Sequence, residues 1–221
     1  MQISAHDIAV ARGEDIIFDN LSFAVSTGEA LVVTGENGAG KSTLLRAIAG
    51  FLPLQAGTLT VIDHDSDVVG VPLREMCHLL GPDNAMKPTR TVEQNLSFWQ
   101  DFGGRPHLDI AEALDFVGLD GLQDVPFGHL STGQRRRIAI ARLLVSYRPL
   151  WLLDEPTSGL DAQSQAQFSA LMQAHLEDDG MIIAATHVPL GLNQITEIVL
   201  GSRPASEAAI DSSAMRSADV P

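Results

Sequence analysis

The chain has 221 residues, 45% of them apolar and 19% charged, enough for one large α/β domain or two small lobes with a shared core and too apolar for wholesale disorder. Its 28 acids against 14 bases give a formal net charge of −14, which argues against nucleic-acid binding, and its single cysteine, Cys77, excludes an internal disulfide and suits a reducing compartment. No apolar run approaches the about 20 residues of a membrane-spanning helix, and Met1–Asp7 has neither a basic start nor an apolar signal core, so a soluble, unsecreted protein is expected.

The first thirty or so residues read as strands. Asp7–Ala11, Ile16–Phe18 and Leu21–Val25 carry the strand pattern, with Gly13 and Asn20 as turn signals between them. Ala30–Val33 is a short buried strand, and Leu44–Ala49 reads as a helix. Between them stands Gly35-Glu36-Asn37-Gly38-Ala39-Gly40-Lys41-Ser42-Thr43, with the spacing G-x-x-x-x-G-K-S of a phosphate-binding loop in the strand–loop–helix context that the motif requires. Its glycines let the backbone curl with N–H groups inward, and the helix N-terminus adds partial positive charge. Lys41 is placed for the β- and γ-phosphates and Ser42 for Mg²⁺.

Pro53, Gly57 and a strand-like Thr58–Val61 follow. The character then changes. Thr91-Val92-Glu93-Gln94 signals a helix start, and Ile110–Val117 and Arg135–Tyr147 carry helical periodicity, so residues 85–148 are expected to form a helical lobe inserted into the sheet domain. Leu150–Leu153 and Met181–Ala185 are unbroken apolar runs, typical of parallel strands buried on both faces, with a helix at Phe168–Glu177 between them. Residues 201–221 are rich in Ser, Ala, Pro and Asp and read as a loose tail; the remainder, 1–200, reads as one domain without an internal repeat.

Two carboxylates, Asp154 and Glu155, end the strand that starts at Leu150. After a phosphate loop, an acid at this strand end orients Mg²⁺, which assigns Asp154; Glu155 points differently and can accept a proton from an attacking water. Leu130-Ser131-Thr132-Gly133-Gln134 precedes an arginine-rich helix, where Ser131 and the Gly133 amide can cradle a further phosphate, with a simple N-cap as the alternative for Ser131. Thr186-His187 closes the next apolar strand. A lone His is usually structural or solvent-exposed, but His187 falls at the sheet edge that already carries Lys41 and Asp154.

This set, in this order, resembles the ATP-binding subunit of ABC transporters over residues 3–200. Ser131–Gln134 matches the family signature, with Thr132 where Gly is usual. Asp154-Glu155, Ser158–Asp161 and His187 match the magnesium aspartate and catalytic base, the dimer loop and the switch histidine. The resemblance implies an α/β P-loop nucleotidase with an N-terminal antiparallel β subdomain, binding ATP and Mg²⁺. It also implies a head-to-tail homodimer in which Ser131 and Gly133 meet nucleotide held by the other copy's Gly38–Thr43, and it adds Gln134 and Asp161 to the nucleotide-binding residues alongside Gly35–Thr43. Integral membrane transporter subunits would be the partners, and nucleic acid would not.

Two positions depart from the family pattern. The aromatic that stacks on adenine falls near Arg12, where a guanidinium can substitute, with Phe18 as a second candidate for the base. The glutamine that links Mg²⁺ to the membrane partner falls near Pro82, and proline offers neither a side-chain ligand nor an amide donor. Ala11–Glu14, Asn84–Pro88, Leu96–Trp99 and Gly133–Arg137 are further similar to the haem-exporter ATPase of cytochrome c maturation. That likeness implies a peripheral subunit on the cytoplasmic face of the bacterial inner membrane, with no direct haem contact. Cys77-His78 lacks the C-x-x-C-H spacing of haem attachment and reads as core packing. Phe98 and Trp99 read equally as lobe core or as a groove for a membrane-subunit helix. Of the run Arg135–Arg137, at least one arginine is expected to face solvent or an acid. The competing readings are a non-transport ABC ATPase, a nucleotide-gated regulatory module and a P-loop kinase; the last would leave Ser131–Gln134 without a role.

Overall fold

The computed structural model describes residues 1–62 and 72–201; apart from Gly201, the expected tail lies outside the described residues. An antiparallel pair opens the chain, β1 (Gln2–Arg12) and β2 (Asp15–Ser26), turned at Gly13. β3 (Ala30–Gly35) leads through the phosphate loop into α1 (Lys41–Ile48), and β4 (Ala56–Ile62) returns to pair with β1, giving a three-stranded sheet in the order β2-β1-β4. A single helical turn, α2 (Leu73–Met76), leads into β5 (Cys77–Leu80). Helices α3 (Val92–Gly103), α4 (Ile110–Phe116) and α5 (Thr132–Val145) follow before the sheet resumes. It does so with β6 (Leu150–Asp154), α6 (Ala162–Glu177), β7 (Met181–Ala185) and β8 (Ile195–Leu200). The second sheet has five strands, all parallel, in the order β5-β6-β7-β3-β8.

The unbroken apolar runs have the cause expected of them. Along β6, Leu150 and Leu152 face one core while Trp151 and Leu153 face the other, and along β7 Ile183 and Ile182 divide in the same way. The first core holds α1 and the inner face of β1; the second holds α3, α4, α5 and α6. A strand with a core on each side has no polar face to show.

The boundaries differ from expectation where side chains cap or bulge. Asn20 is not a turn: it sits inside β2 in the left-handed region (φ 52), opposite an irregular stretch of β1 where Asp7 is also left-handed (φ 48). Ser22 holds that bulge, its hydroxyl donating to Asp7 Oδ1 at 2.9 Å and accepting from the Asp7 N–H at 2.8 Å. α1 starts at Lys41, ahead of the apolar stretch, because the loop itself forms the first turn, with Leu44 N–H donating to Gly40 O at 2.8 Å. α6 starts at Ala162 because Asp161 caps it, accepting from Ser164 N–H at 2.8 Å. Thr91 caps α3 in a reciprocal pair with Gln94, as its sequence signal predicts. Among the described residues no helix is long and apolar enough to cross a membrane.

Two histidines are buried in the second core's periphery. His78, 5% exposed, donates from Nε2 to Ser146 O at 2.8 Å, and burial with nearby Arg142 lowers its pKa to about 3. His175 stacks flat on Trp151 with ring centroids 3.9 Å apart, and burial lowers its pKa to about 4. Both are neutral when folded and take up a proton on unfolding below the ordinary histidine value near 6.5. The unfolded chain therefore binds more protons there, so stability falls as pH falls, by about 1.4 kcal/mol per histidine per pH unit at most. Denaturant midpoints are expected to drop between pH 6.5 and about 4.5, and His78→Asn with His175→Gln should flatten much of that slope. Equal slopes in the two proteins would contradict it. The neighbouring Cys77 thiol is half-buried, and burial pushes its pKa up to about 11 against a smaller opposing pull from Arg148.

Candidate functional site

The C-terminal ends of β3, β6 and β7 lie side by side, and each delivers part of the site. From β3 comes the loop. Gly40 is left-handed (φ 101), and a Cβ there would meet Ile17 Cγ2 at 2.6 Å and Phe18 Cδ1 at 3.3 Å. At Gly35 (φ 136) a Cβ would strike the Leu200 carbonyl of β8. Both positions exclude side chains on two counts. Asn37 and Gly38 are exposed at the crest, Ala39 is buried, and Ala39 N–H donates to Glu36 O at 3.1 Å. Lys41, 9% exposed, folds its ammonium back onto the Gly35 and Glu36 carbonyls at 2.7 and 3.0 Å. Ser42 is exposed and Thr43 half-buried.

From β6 come Asp154, 7% exposed, and Glu155, held left-handed at φ 44. From β7 come Thr186 and His187. His187 Nδ1–H donates to Glu155 Oε1 at 3.1 Å and Thr186 Oγ1–H to Glu155 Oε2 at 3.3 Å. Both oxygens of the carboxylate are thereby engaged from the neighbouring strand, while the His187 side chain remains 70% exposed. Reasoning from sequence singled out Glu155 and His187 and missed Thr186.

Ser42 and Asp154 line one cavity of about 420 Å³. Among the described residues no group of three or more His, Cys, Asp or Glu converges on a metal position. A hydroxyl and one carboxylate suit Mg²⁺, which takes one or two protein oxygens, substrate phosphates and waters.

Ser131, Gly133 and Gln134 lie at the start of α5. Ser131 Oγ accepts from Gln134 N–H at 3.2 Å, and Gln134 Oε1 accepts from Ser131 N–H at 2.8 Å. The cap reading therefore holds, and it leaves the Ser131 hydroxyl proton and the first-turn N–H of Gly133 to be donated elsewhere. The loop of Ser158–Asp161 lies beside it, with Gly159 O 3.6 Å from where a Gly133 Cβ would stand. Hydrogen bonds from Ser164, backbone first and then side chain, lower the pKa of the Asp161 carboxyl. Arg12 is exposed at the end of β1. Phe18 is 7% exposed and packed under Gly40, which leaves it no free face for a base.

The arginine run meets the expectation that at least one member faces an acid, since the charge of Asp154 acts on Arg136. Arg135 and Arg137 donate to backbone carbonyls of Gly128, and of Val117 and Gly118. Arg136, 6% exposed, reaches into the site: its guanidinium donates to the carbonyls of Glu155 and Gly81 at 2.8 Å each, and of Asp154 and Pro156 at 3.3 Å each. Burial lowers its pKa, opposed by the charge of Asp154. A signal existed in the sequence, because Arg136 shares its helix face with the buried Ile140 and Leu143.

The same cavity runs past Pro82 to the exposed Phe51 and Phe102, each 68% accessible, and is ringed by Arg46, Arg74, Arg142 and Arg148. Trp99 packs partly into the core, donates from Nε1 to Ala85 O at 2.9 Å and lies under the Arg142 guanidinium, 4.7 Å from its ring centre. It serves as core and as groove wall together, whereas Phe98 is 47% exposed on a different shallow depression. Buried His78 packs at the wall of the cavity rather than opening a ligand site.

A phosphate loop, a strand-end Asp-Glu pair and a strand-end histidine on one parallel sheet define a P-loop nucleotidase of the ABC class. The ABC transporter family model matches residues 18–158, and the chain belongs to that family. Its relatives narrow the place within it. The chain is 55% identical over 193 residues to the cytochrome c biogenesis ATP-binding export protein CcmA of Brucella abortus (strain 2308), covering 87% of this chain and 88% of that one. With the same-named protein of Chelativorans sp. (strain BNC1) it shares 52% over 202 residues, 91% and 99% of the two chains. The fold matches the dimeric structure of MJ0796, a bacterial ABC transporter cassette, with TM-score 0.75 at 23% identity over 90% of this chain and 94% of that one. It also matches the ATP-bound bacterial Atm1-family ABC exporter, with TM-score 0.76 at 25% identity over 90% of this chain and 36% of that longer one. The family and these CcmA relatives agree with the resemblance read from the sequence.

Proposed function

We propose that the chain is the ATP-hydrolysing subunit of an ABC transporter complex that serves cytochrome c biogenesis, powering haem export or the release of a haem-loaded carrier. The observation that carries the catalytic part is the placement of Glu155 beside the phosphate loop, its two oxygens held by Thr186 and His187. Gly35–Thr43 would wrap the phosphates, with Lys41 exchanging its loop carbonyls for phosphate oxygens. Ser42 and Asp154 would hold Mg²⁺, which supplies charge neutralisation between the phosphates. Glu155 would take the proton of the attacking water, and His187, exposed on its far side, would touch the γ-phosphate. Arg12 would stack on adenine.

The free donors at Ser131 and Gly133 support a head-to-tail dimer, because nothing in their own copy's phosphate loop uses them. In it Ser131, Gly133, Gln134 and Asp161 would complete the other copy's pocket. The aromatic, arginine-ringed cavity around Phe51, Trp99 and Phe102 would seat a helix of the integral membrane subunit, and the chain would then sit at the cytoplasmic face of the inner membrane. Affinity purification from detergent-solubilised membranes is expected to recover integral membrane proteins with the chain, and phosphate release should rise when they are present. Recovery of the chain alone, with phosphate release unchanged by membrane extract, would count against the transport reading. Pro82, in place of the linking glutamine, favours a second reading as a nucleotide-gated module; nucleotide binding without phosphate release under every condition would select it.

A further inference from the structure

We propose that Arg136 is a positioning residue that locks the turn bearing Asp154 and Glu155 to the loop after β5, and so carries displacements of that loop to the hydrolytic carboxylate. The proposal rests on the ATPase reading above.

The geometry is specific. One planar guanidinium from α5 donates to three successive carbonyls of the turn, at Asp154, Glu155 and Pro156, and to Gly81 immediately before Pro82. Its partners in these bonds are all backbone oxygens, so the fork fixes main-chain position and not a partner side chain. Glu155 needs fixing. A non-glycine residue at positive φ persists only where its surroundings over-determine it. Its own N–H donates to Ala185 O at 2.9 Å and its carbonyl accepts from Ser158 N–H at 3.1 Å, so β7 and the following turn hold one side of it and Arg136 the other. That backbone setting is what aims the carboxylate at Thr186 and His187.

The fourth bond makes the clamp more than local. Gly81 and Pro82 line the cavity that also holds the exposed Phe51 and Phe102. A body seated there presses on the Gly81 loop, and Arg136 ties that loop to the Glu155 turn through a single rigid group. Since Pro82 has no side chain able to reach the nucleotide, a main-chain connection of this kind replaces a side-chain one.

Arg136→Gln and Arg136→Lys test it; the lysine keeps the charge without the fork and stands in should the glutamine variant not fold. Each folded variant is expected to bind the fluorescent analogue mant-ATP at one site per chain with Kd within about threefold of the parent, because no phosphate-loop bond is touched. Turnover per binding site should fall about 10–100-fold with KM little changed. Amide hydrogen exchange at Glu155 and Ser158 should accelerate by about tenfold or more while Leu44 in α1 is unchanged. Turnover per site within twofold of the parent, or a loss of activity that merely tracks a loss of binding sites, would overturn the proposal. So would unchanged exchange at Glu155 and Ser158. That exchange measurement needs no hydrolysis, so it judges Arg136 even if Glu155→Gln shows the ATPase reading itself to be wrong.

Discussion

Glu155→Gln is expected to lower ATP turnover by about 10²–10⁴-fold, the contribution of a positioned general base, while ATP still binds. The amide is isosteric: its oxygen can still accept from His187 while its NH2 donates to the Thr186 hydroxyl oxygen, so the turn at Glu155 should survive. What it loses is the ability to take a proton from water. It also removes a negative charge from the face that would meet the γ-phosphate. Both effects prolong the bound state, so size-exclusion chromatography with ATP and Mg²⁺ should show a dimer that the parent populates only transiently. Undiminished turnover would remove Glu155 from the role of base, and an ATP-loaded variant that stays monomeric at high concentration would count against the two-copy sandwich.

Lys41→Ala is the second large effect. The ammonium now rests on the Gly35 and Glu36 carbonyls, so the loop holds its own cation in place before any phosphate arrives. A charge-assisted contact of this kind is worth about 1.5–3 kcal/mol, which corresponds to about a 10–100-fold rise in nucleotide Kd. Thermal shift reads it directly. At a ligand concentration 100 times the parent Kd, binding stabilises the parent by about 2.7 kcal/mol, and a variant with 100-fold weaker affinity gains only about 0.4 kcal/mol. Equal nucleotide-induced shifts in the two proteins would mean that Lys41 does not meet the phosphates.

The parts of the molecule that were legible in the sequence are those in which one physical demand dominates. The loop at Gly35–Thr43 has to accept positive φ and close backbone approach, and only glycine does so. β6 and β7 lie between two cores, so every residue except the terminal Asp154 is apolar. β8 is an edge strand with mostly exposed residues, and its sequence carries no burial signal. β5 is four residues long and includes a histidine, too short and too mixed for either periodicity to register. Asn20 misled because its left-handed backbone is compatible with a turn and a bulge alike. In the site, acids and histidine at strand ends could be read because, in parallel α/β sheets, the C-terminal ends of the strands are where ligand sites form. Thr186 could not, since it acts on a side chain 31 residues away; for Arg136 the helix face signalled burial, but its partners, carbonyls of a different element, left no mark in the sequence.

The raised pKa of Cys77 bears on how the assembly can be observed. At neutral pH its thiol is almost wholly protonated, and the thiolate is the reactive form. Maleimides and bifunctional linkers would therefore label cysteines introduced at exposed positions outside the nucleotide-contacting residues far faster than the native one. The wild-type background thus serves as its own near-silent control, and covalent trapping of two copies across their nucleotide can be attempted without first removing a core residue.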